Sequence, residues 1–296
     1  MAISYSAVGS SAGIAAFSAR RVDFGASDVP LNAAEQAAAH GGGAVQVPVD
    51  LGAAFVVYNL VLPGTGRLRL SGPVIARIFL GQITRWNDPA IVALNPGADI
   101  PDVPVNVVHR SDGSGTTYIF SNYLSAVDPA WASRIGTGKS LHWPVGVGVR
   151  GKPRCRAGRR AHAVLHRLHR TVLLQRPDPQ LRRYPQPGRE LHHALYGFHH
   201  SRRCPETRHH PADFSIVNEP GPNSYPICGY SWALIYIHQA SQATGKALVT
   251  LLDWLTHQGQ AYAAATSYVP LPPRIQTLAR AMLRQVTGPN GAHLLS

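Results

Sequence analysis

Apolar and polar residues keep regular rhythms over residues 1–149 and again from 212 onward, and lose them in between. Residues 45–62 are rich in Val, Phe, Tyr and Leu and are broken by Pro63-Gly64, which predicts one or two buried strands. Val74, Ile75, Ile78 and Phe79 recur at helical spacing and predict a helix over 72–80. A shorter helix is predicted over 89–94, closed by Asn95-Pro96-Gly97, and a short strand over 103–108. Past the break, a strand is predicted over 231–237. A helix over 241–256 carries Ala247, Leu248, Leu251, Leu252 and Leu255 on one side, and a last helix covers 274–285. Strands and helices thus alternate, the pattern of an α/β protein, and no internal repeat is visible.

Composition changes the picture at one place. The chain has 296 residues and a formal net charge of +13, which by itself suggests a polyanionic partner. However, 15 of the 28 Lys/Arg and only 3 of the 15 Asp/Glu lie between Arg150 and His210, so this segment holds nearly all of the excess. It also holds nine of the fifteen His and two of the three Cys, Cys155 and Cys204. An odd number of cysteines without a Cys-x-x-Cys pair specifies neither a disulfide framework nor a zinc ribbon. No run of about 18 apolar residues is present, and Met1 to Tyr5 lack the basic start and apolar stretch of a signal peptide. As written, the chain is expected to remain cytoplasmic.

Candidate chemistry lies at two turn-to-helix junctions. Val107 to Phe120 run from an apolar strand through Arg110-Ser111-Asp112-Gly113-Ser114-Gly115-Thr116 into an apolar helix. Such a junction leaves backbone N–H groups unpaired at the positive end of a helix dipole, beside the Ser114 and Thr116 hydroxyls, and so forms an anion cradle. Arg110 adds a planar two-point donor that Asp112 can orient. A second junction follows the same plan at Val8-Gly9-Ser10-Ser11-Ala12-Gly13. Soon after it, a strand ends in Ser27-Asp28. A carboxylate facing an anion is repulsive unless the anion carries a proton; phosphate does near neutral pH, and sulfate does not. Read singly, each feature is equally a capped helix start or a turn residue.

Taken in order, Gly9-Ser10-Ser11-Ala12-Gly13, residues 22–31, 78–91, Leu94-Asn95-Pro96-Gly97, residues 110–116 and Trp143-Pro144-Val145-Gly146 resemble the phosphate-binding proteins of ABC-type phosphate importers. The resemblance covers about 1–151 and 212–296. It implies a type II periplasmic-binding-protein-like fold with two α/β lobes joined by crossing strands. Lobe I is expected to comprise 1–54 and 221–296, and lobe II to comprise 55–220. It also implies phosphate held by Ser10 and Asp28 from one lobe and by Arg110, Ser114, Gly115 and Thr116 from the other, with Asp112 supporting Arg110. No catalysis, cofactor or metal is implied. The implied setting is periplasmic, the implied partner is a membrane permease, and a monomer is expected.

Two departures from the family pattern stand out. The chain starts at what looks like the family's second strand, so the first strand and the helix after it are expected to be missing. The basic segment is the other departure. Codons permitted for residues 162–171, read one base later, encode Thr-Pro-Ser-Ser-Ile-Gly-Tyr-Ile-Glu, a phrase similar to the family's own segment at this place. A shifted frame over about 151–211 accounts for its Arg, His and Pro excess.

Rival readings give other residues the work. His162, His166, His192 and His193 could ligate a metal, but no carboxylate or Cys spacing completes a site, so none is expected. The basic segment, with Tyr184, Tyr196 and Phe198 interleaved, could bind nucleic acid electrostatically; no specific nucleic-acid partner is expected. Gly136-Thr137-Gly138-Lys139-Ser140 looks like the end of a P-loop, yet Ser133 stands where that motif needs its first Gly. Ser114 could serve a serine hydrolase, although a G-x-S-x-G elbow is absent and His109 lacks an evident orienting carboxylate.

Overall fold

The computed structural model describes residues 2–39, 43–58, 60, 62, 68–150, 215–220, 224–266 and 268–295, together with the backbone of 171–175 and 192–193. In chain order the first elements are α1 (Ser10–Ser18), β1 (Gly25–Ser27), α2 (Ala33–Ala38), β2 (Ala44–Ala53), β3 (Phe55–Tyr58), α3 (Gly72–Phe79), α4 (Pro89–Val92) and β4 (Asn106–Arg110). They are followed by α5 (Gly115–Val127), α6 (Pro129–Arg134), β5 (Val147–Val149), β6 (Thr171–Gln175), β7 (His192–His193) and β8 (Cys228–Tyr236), and the chain ends in α7 (Gln242–Thr256) and α8 (Pro273–Leu283).

Two sheets organise these elements into two lobes. In the first sheet β8 lies between β1 and β2 and is antiparallel to both, with Ser27 opposite Trp232 and Ala44 opposite Tyr236. Strand β8 is apolar almost throughout because both of its faces are covered. One face of the sheet sends Val45, Val47, Ala233 and Ile235 against Leu248, Val249 and Leu252 of α7 and Ala279 and Leu283 of α8. On the other face Tyr236 stacks on Phe17 of α1 at 4.4 Å and donates its hydroxyl to the Phe17 carbonyl at 2.6 Å. Pro48, which has no N–H to give, sits in the edge strand β2 next to the register shift at 48–50.

The second sheet has the order β5-β4-β6-β3-β7, with β4 parallel to β5 and β6. Helix α3 fills its flank with Val74, Ile75, Ile78 and Phe79, and Phe79 meets Phe120 of α5 edge-on at 4.9 Å. Trp86 and Trp131 are fully buried here, as Trp232 is in the first lobe. Trp143 is partly buried, and Trp254 lies exposed beside Tyr262.

The lobes are joined where β2 runs on into β3 and where the return chain enters β8. At this crossing the Ala54 N–H donates to the Ile227 carbonyl at 2.9 Å, the Tyr225 hydroxyl donates to the Ala54 carbonyl at 2.6 Å, and the Phe55 and Tyr225 rings stack at 5.1 Å. The bonds tie one connecting strand to the other at a single level, which is where a hinge belongs.

Several expectations need correction. The strand predicted over 103–108 starts three residues late, because Pro104 only bridges Arg85 before the ladder begins at Asn106. The strand predicted over 231–237 starts early, at Cys228. On α7 the buried side is Gly245, Leu248, Val249, Leu252 and Thr256, not the stripe through Ala247, Leu251 and Leu255. Two neighbouring apolar stripes compete on that helix, and packing against the sheet selects the one carrying Val249. Helices α2 and α6 and strand β5 were not anticipated, although Asn32 with Glu35 forms a capping box and Asp128 caps α6. Backbone strands β6 and β7 fall inside the segment that shows no periodicity. The other residues of 151–214 lie outside the described residues.

Candidate ligand cleft between the lobes

Helix α1 starts at Gly9, whose φ of 89° is one that a residue with a β-carbon seldom adopts. No side chain caps this end. Ser10, only 4% exposed, accepts the Asp28 N–H on its Oγ at 3.2 Å and so ties the helix start to the end of β1. The Ser27–Trp232 register sets the next residues, Asp28 and Ser231, side by side. Ser231 Oγ donates to Asp28 Oδ1 at 2.9 Å. One carboxylate oxygen is thereby oriented by the strand next door.

In the second lobe β4 delivers Arg110 to the mouth of α5. Arg110 Nε donates to Asp112 Oδ1 at 2.6 Å and Nη2 donates to Oδ2, a two-point pair whose side chains are 13% and 20% exposed. Ser114 caps α5 by accepting the Thr117 N–H on its Oγ at 3.4 Å, and its own N–H donates to the Lys139 carbonyl at 2.8 Å. Ser114 and Thr116 are both buried. Arg110 uses two of its five N–H groups on Asp112, which leaves donors for an anion while the local charge is moderated.

These residues come together. A β-carbon placed on Gly115 would lie 2.4 Å from Asp28 Cβ and 2.5 Å from Ser10 Oγ, so only hydrogen fits where the helix of one lobe meets the carboxylate of the other. A β-carbon on Gly9 would lie 3.5 Å from Arg110 Nη2. The Ser11 N–H reaches the Gly113 carbonyl across the cleft at 3.5 Å. Two helix starts, one arginine pair and one carboxylate therefore surround a common point between the lobes.

The residues of the rival readings are engaged elsewhere. Ser114 Oγ serves the helix cap, and the His109 ring stacks on Trp143 at 4.7 Å with its Nδ1 at 3.1 Å from the Arg110 carbonyl. Burial pushes the His109 pKa down, and the carbonyl partly opposes that. The P-loop-like 136–140 segment is a brace for α5, with the Gly138 N–H donating to Ser121 Oγ at 3.1 Å. Among the described residues no group of three or more His, Cys, Asp or Glu is placed to hold a metal ion, and no helix is long and apolar enough to cross a membrane. His162 and His166 lie outside the described residues, and of His192 and His193 only the backbone is described.

Sequence reasoning missed Ser231, whose role depends on register alone, and the Glu35–Lys139 ion pair, which spans 104 positions. The one local signal for either is the Asn32-x-x-Glu35 capping-box pattern, which sequence reasoning did not use.

A cleft between two α/β lobes, joined by crossing strands and lined with helix starts, defines a two-lobed solute-binding protein of type II. A sequence model of the PBP superfamily domain matches residues 1–158. The phosphate-binding protein PstS of Xylella fastidiosa strain Temecula1 is 36% identical over 286 residues, covering 92% of this chain and 75% of that one. PstS of Pasteurella multocida strain Pm70 is 36% identical over 284 residues, covering 92% and 79%. Among solved structures, a phosphate-binding protein from Stenotrophomonas maltophilia superposes with a TM-score of 0.66 at 19% identity, over 94% of this chain and 86% of that one. A high-affinity periplasmic phosphate-binding protein bound with phosphate at pH 8.5 gives 0.68 at 20% identity, over 93% and 85%. The chain belongs to the family of phosphate-binding proteins within this superfamily.

Proposed function

We propose that the chain binds inorganic phosphate between its lobes for delivery to the membrane permease of an ABC-type phosphate importer, without catalysing a reaction. The lobes are 1–54 with 221–296 and 55–220. Ser10 and Asp28 serve from the first, and Arg110, Ser114, Gly115 and Thr116 from the second, with Asp112 steadying Arg110. Helix-start amides and Arg110 hold the charge, the hydroxyls complete the shell, and Asp28 accepts the proton that phosphate carries. Sulfate offers Asp28 no such proton and meets an unrelieved negative charge. The family's setting supports a periplasmic location, and we propose that the chain acts as a monomer.

The observation that carries this reading is the meeting of Asp28 and Ser10 with Gly115 beside the Arg110–Asp112 pair. Titration calorimetry of the full chain is expected to give saturable phosphate binding, with sulfate at least a hundredfold weaker. Asp28→Asn is expected to narrow that gap by weakening phosphate and admitting sulfate. A folded wild-type chain that gives no phosphate heat overturns the reading.

A further inference from the structure

Across the rim of the cleft, Lys139 Nζ meets Glu35 Oε1. Glu35 belongs to α2 of the first lobe, and Lys139 to the loop that braces α5 in the second. Both are held in place independently of each other. Glu35 Oε2 accepts the Asn32 N–H at 3.1 Å while Asn32 Oδ1 accepts the Glu35 N–H at 2.8 Å, so the capping box aims the carboxylate. The Lys139 carbonyl accepts the Ser114 N–H at 2.8 Å, and neighbouring Gly138 is tied to Ser121 through both its N–H and its carbonyl. The two side chains are 24% and 21% exposed, so the pair is mostly withdrawn from solvent. It is therefore screened less than a surface pair and loses less freedom on forming.

We infer that Glu35 and Lys139 form an electrostatic latch that exists only while the lobes are apposed, and that it sets how fast the closed cleft releases its ligand. This rests on the phosphate reading above. A contact present in one of two hinge states shifts their balance by its own free energy in that state, whatever the ligand contributes. Lys139 also links the latch to the ligand shell, since its backbone holds the N-cap residue Ser114. The pair acts through lobe position and through the Lys139 carbonyl that holds Ser114, so both are positioning residues.

The test uses Glu35→Gln, which keeps an acceptor for the capping box, and Lys139→Met, which keeps the stem and the backbone. Stopped-flow release of phosphate is expected to quicken by roughly three- to tenfold in each variant. The double variant is expected to release no faster than either single one, and the salt dependence of release to be weaker in all three. Small-angle scattering without phosphate is expected to show the wild type opening between low salt and about 1 M NaCl, a concentration at which charges are screened over a few ångströms, and the variants open at both. Variants that release phosphate at the wild-type rate, or single effects that simply multiply, overturn the latch. Should the wild type bind no phosphate, the phosphate reading fails. The scattering comparison then decides the latch alone, and equal dimensions for wild type and variants refute it.

Discussion

Gly115 at the start of α5 lies against Asp28 at the end of β1, so closely that an added β-carbon would stand 2.4 Å from Asp28 Cβ. These two residues belong to different lobes and are brought together only by lobe apposition. Gly115→Ala keeps a good helix former at the first helical position and leaves either lobe's core untouched. It is expected to lower phosphate affinity at least tenfold in calorimetry while shifting the melting temperature little. Affinity within twofold of wild type would falsify the closed geometry as the ligand-holding state.

Arg110 carries the concentrated positive charge of the cleft. Charge-assisted hydrogen bonds contribute about 1.5–3 kcal/mol each, so Arg110→Ala is expected to weaken phosphate binding by at least about tenfold. Asp112→Asn loses the two-point pair that orients the guanidinium and is expected to weaken binding less. Calorimetry on both variants at one salt concentration checks the order of the two effects.

Ser231 was invisible as a site residue, yet it donates to Asp28 Oδ1. Ser231→Ala removes one neutral donor to a carboxylate, worth about 0.5–1.5 kcal/mol, and is expected to weaken phosphate binding by roughly two- to tenfold. Ser231→Thr keeps the hydroxyl and is expected to recover part of the loss. Equal loss in both variants would assign the effect to β8 packing instead.

Away from the cleft, Arg280 of α8 grips Asp253 of α7 at 2.9 and 3.0 Å, and His257 lies 3.4 Å from the same carboxylate. Hydrogen bonding from Arg280, backed by its charge and those of His257 and Arg284, holds the Asp253 carboxyl below the usual carboxylate range against the opposing effect of burial. A lower value folded than unfolded means stability that is present above about pH 4, the ordinary unfolded value, and lost as pH falls through the folded value. Asp253→Asn is expected to flatten this acid-side loss and to cost about 0.5–1 kcal/mol at pH 7. Thermal melts at pH 7 and pH 3 on both proteins measure the difference.

The basic segment makes its own prediction. Read one base later, the nucleotides encoding about 151–211 are expected to spell a stretch poor in Arg and His that continues the family pattern from Arg150 to Asp213. The coding sequence read in all three frames between codons 148 and 214 decides it; a second frame interrupted by stop codons rules it out.

How much of this was legible beforehand follows from how far each determinant reaches along the chain. Local patterns within about ten residues predict α3, α4, α8 and the two turn-to-helix junctions, because helical spacing, N-caps and Pro-Gly stops are short-range physics. Family-like order added the expectation that Ser10, Asp28, Arg110 and Gly115 serve one ligand. Tertiary structure alone decided which stripe of α7 faces the sheet, that Ser231 orients Asp28, and that Glu35 meets Lys139. Strand register and lobe apposition join residues 104 and 203 positions apart, and no local preference encodes such a distance.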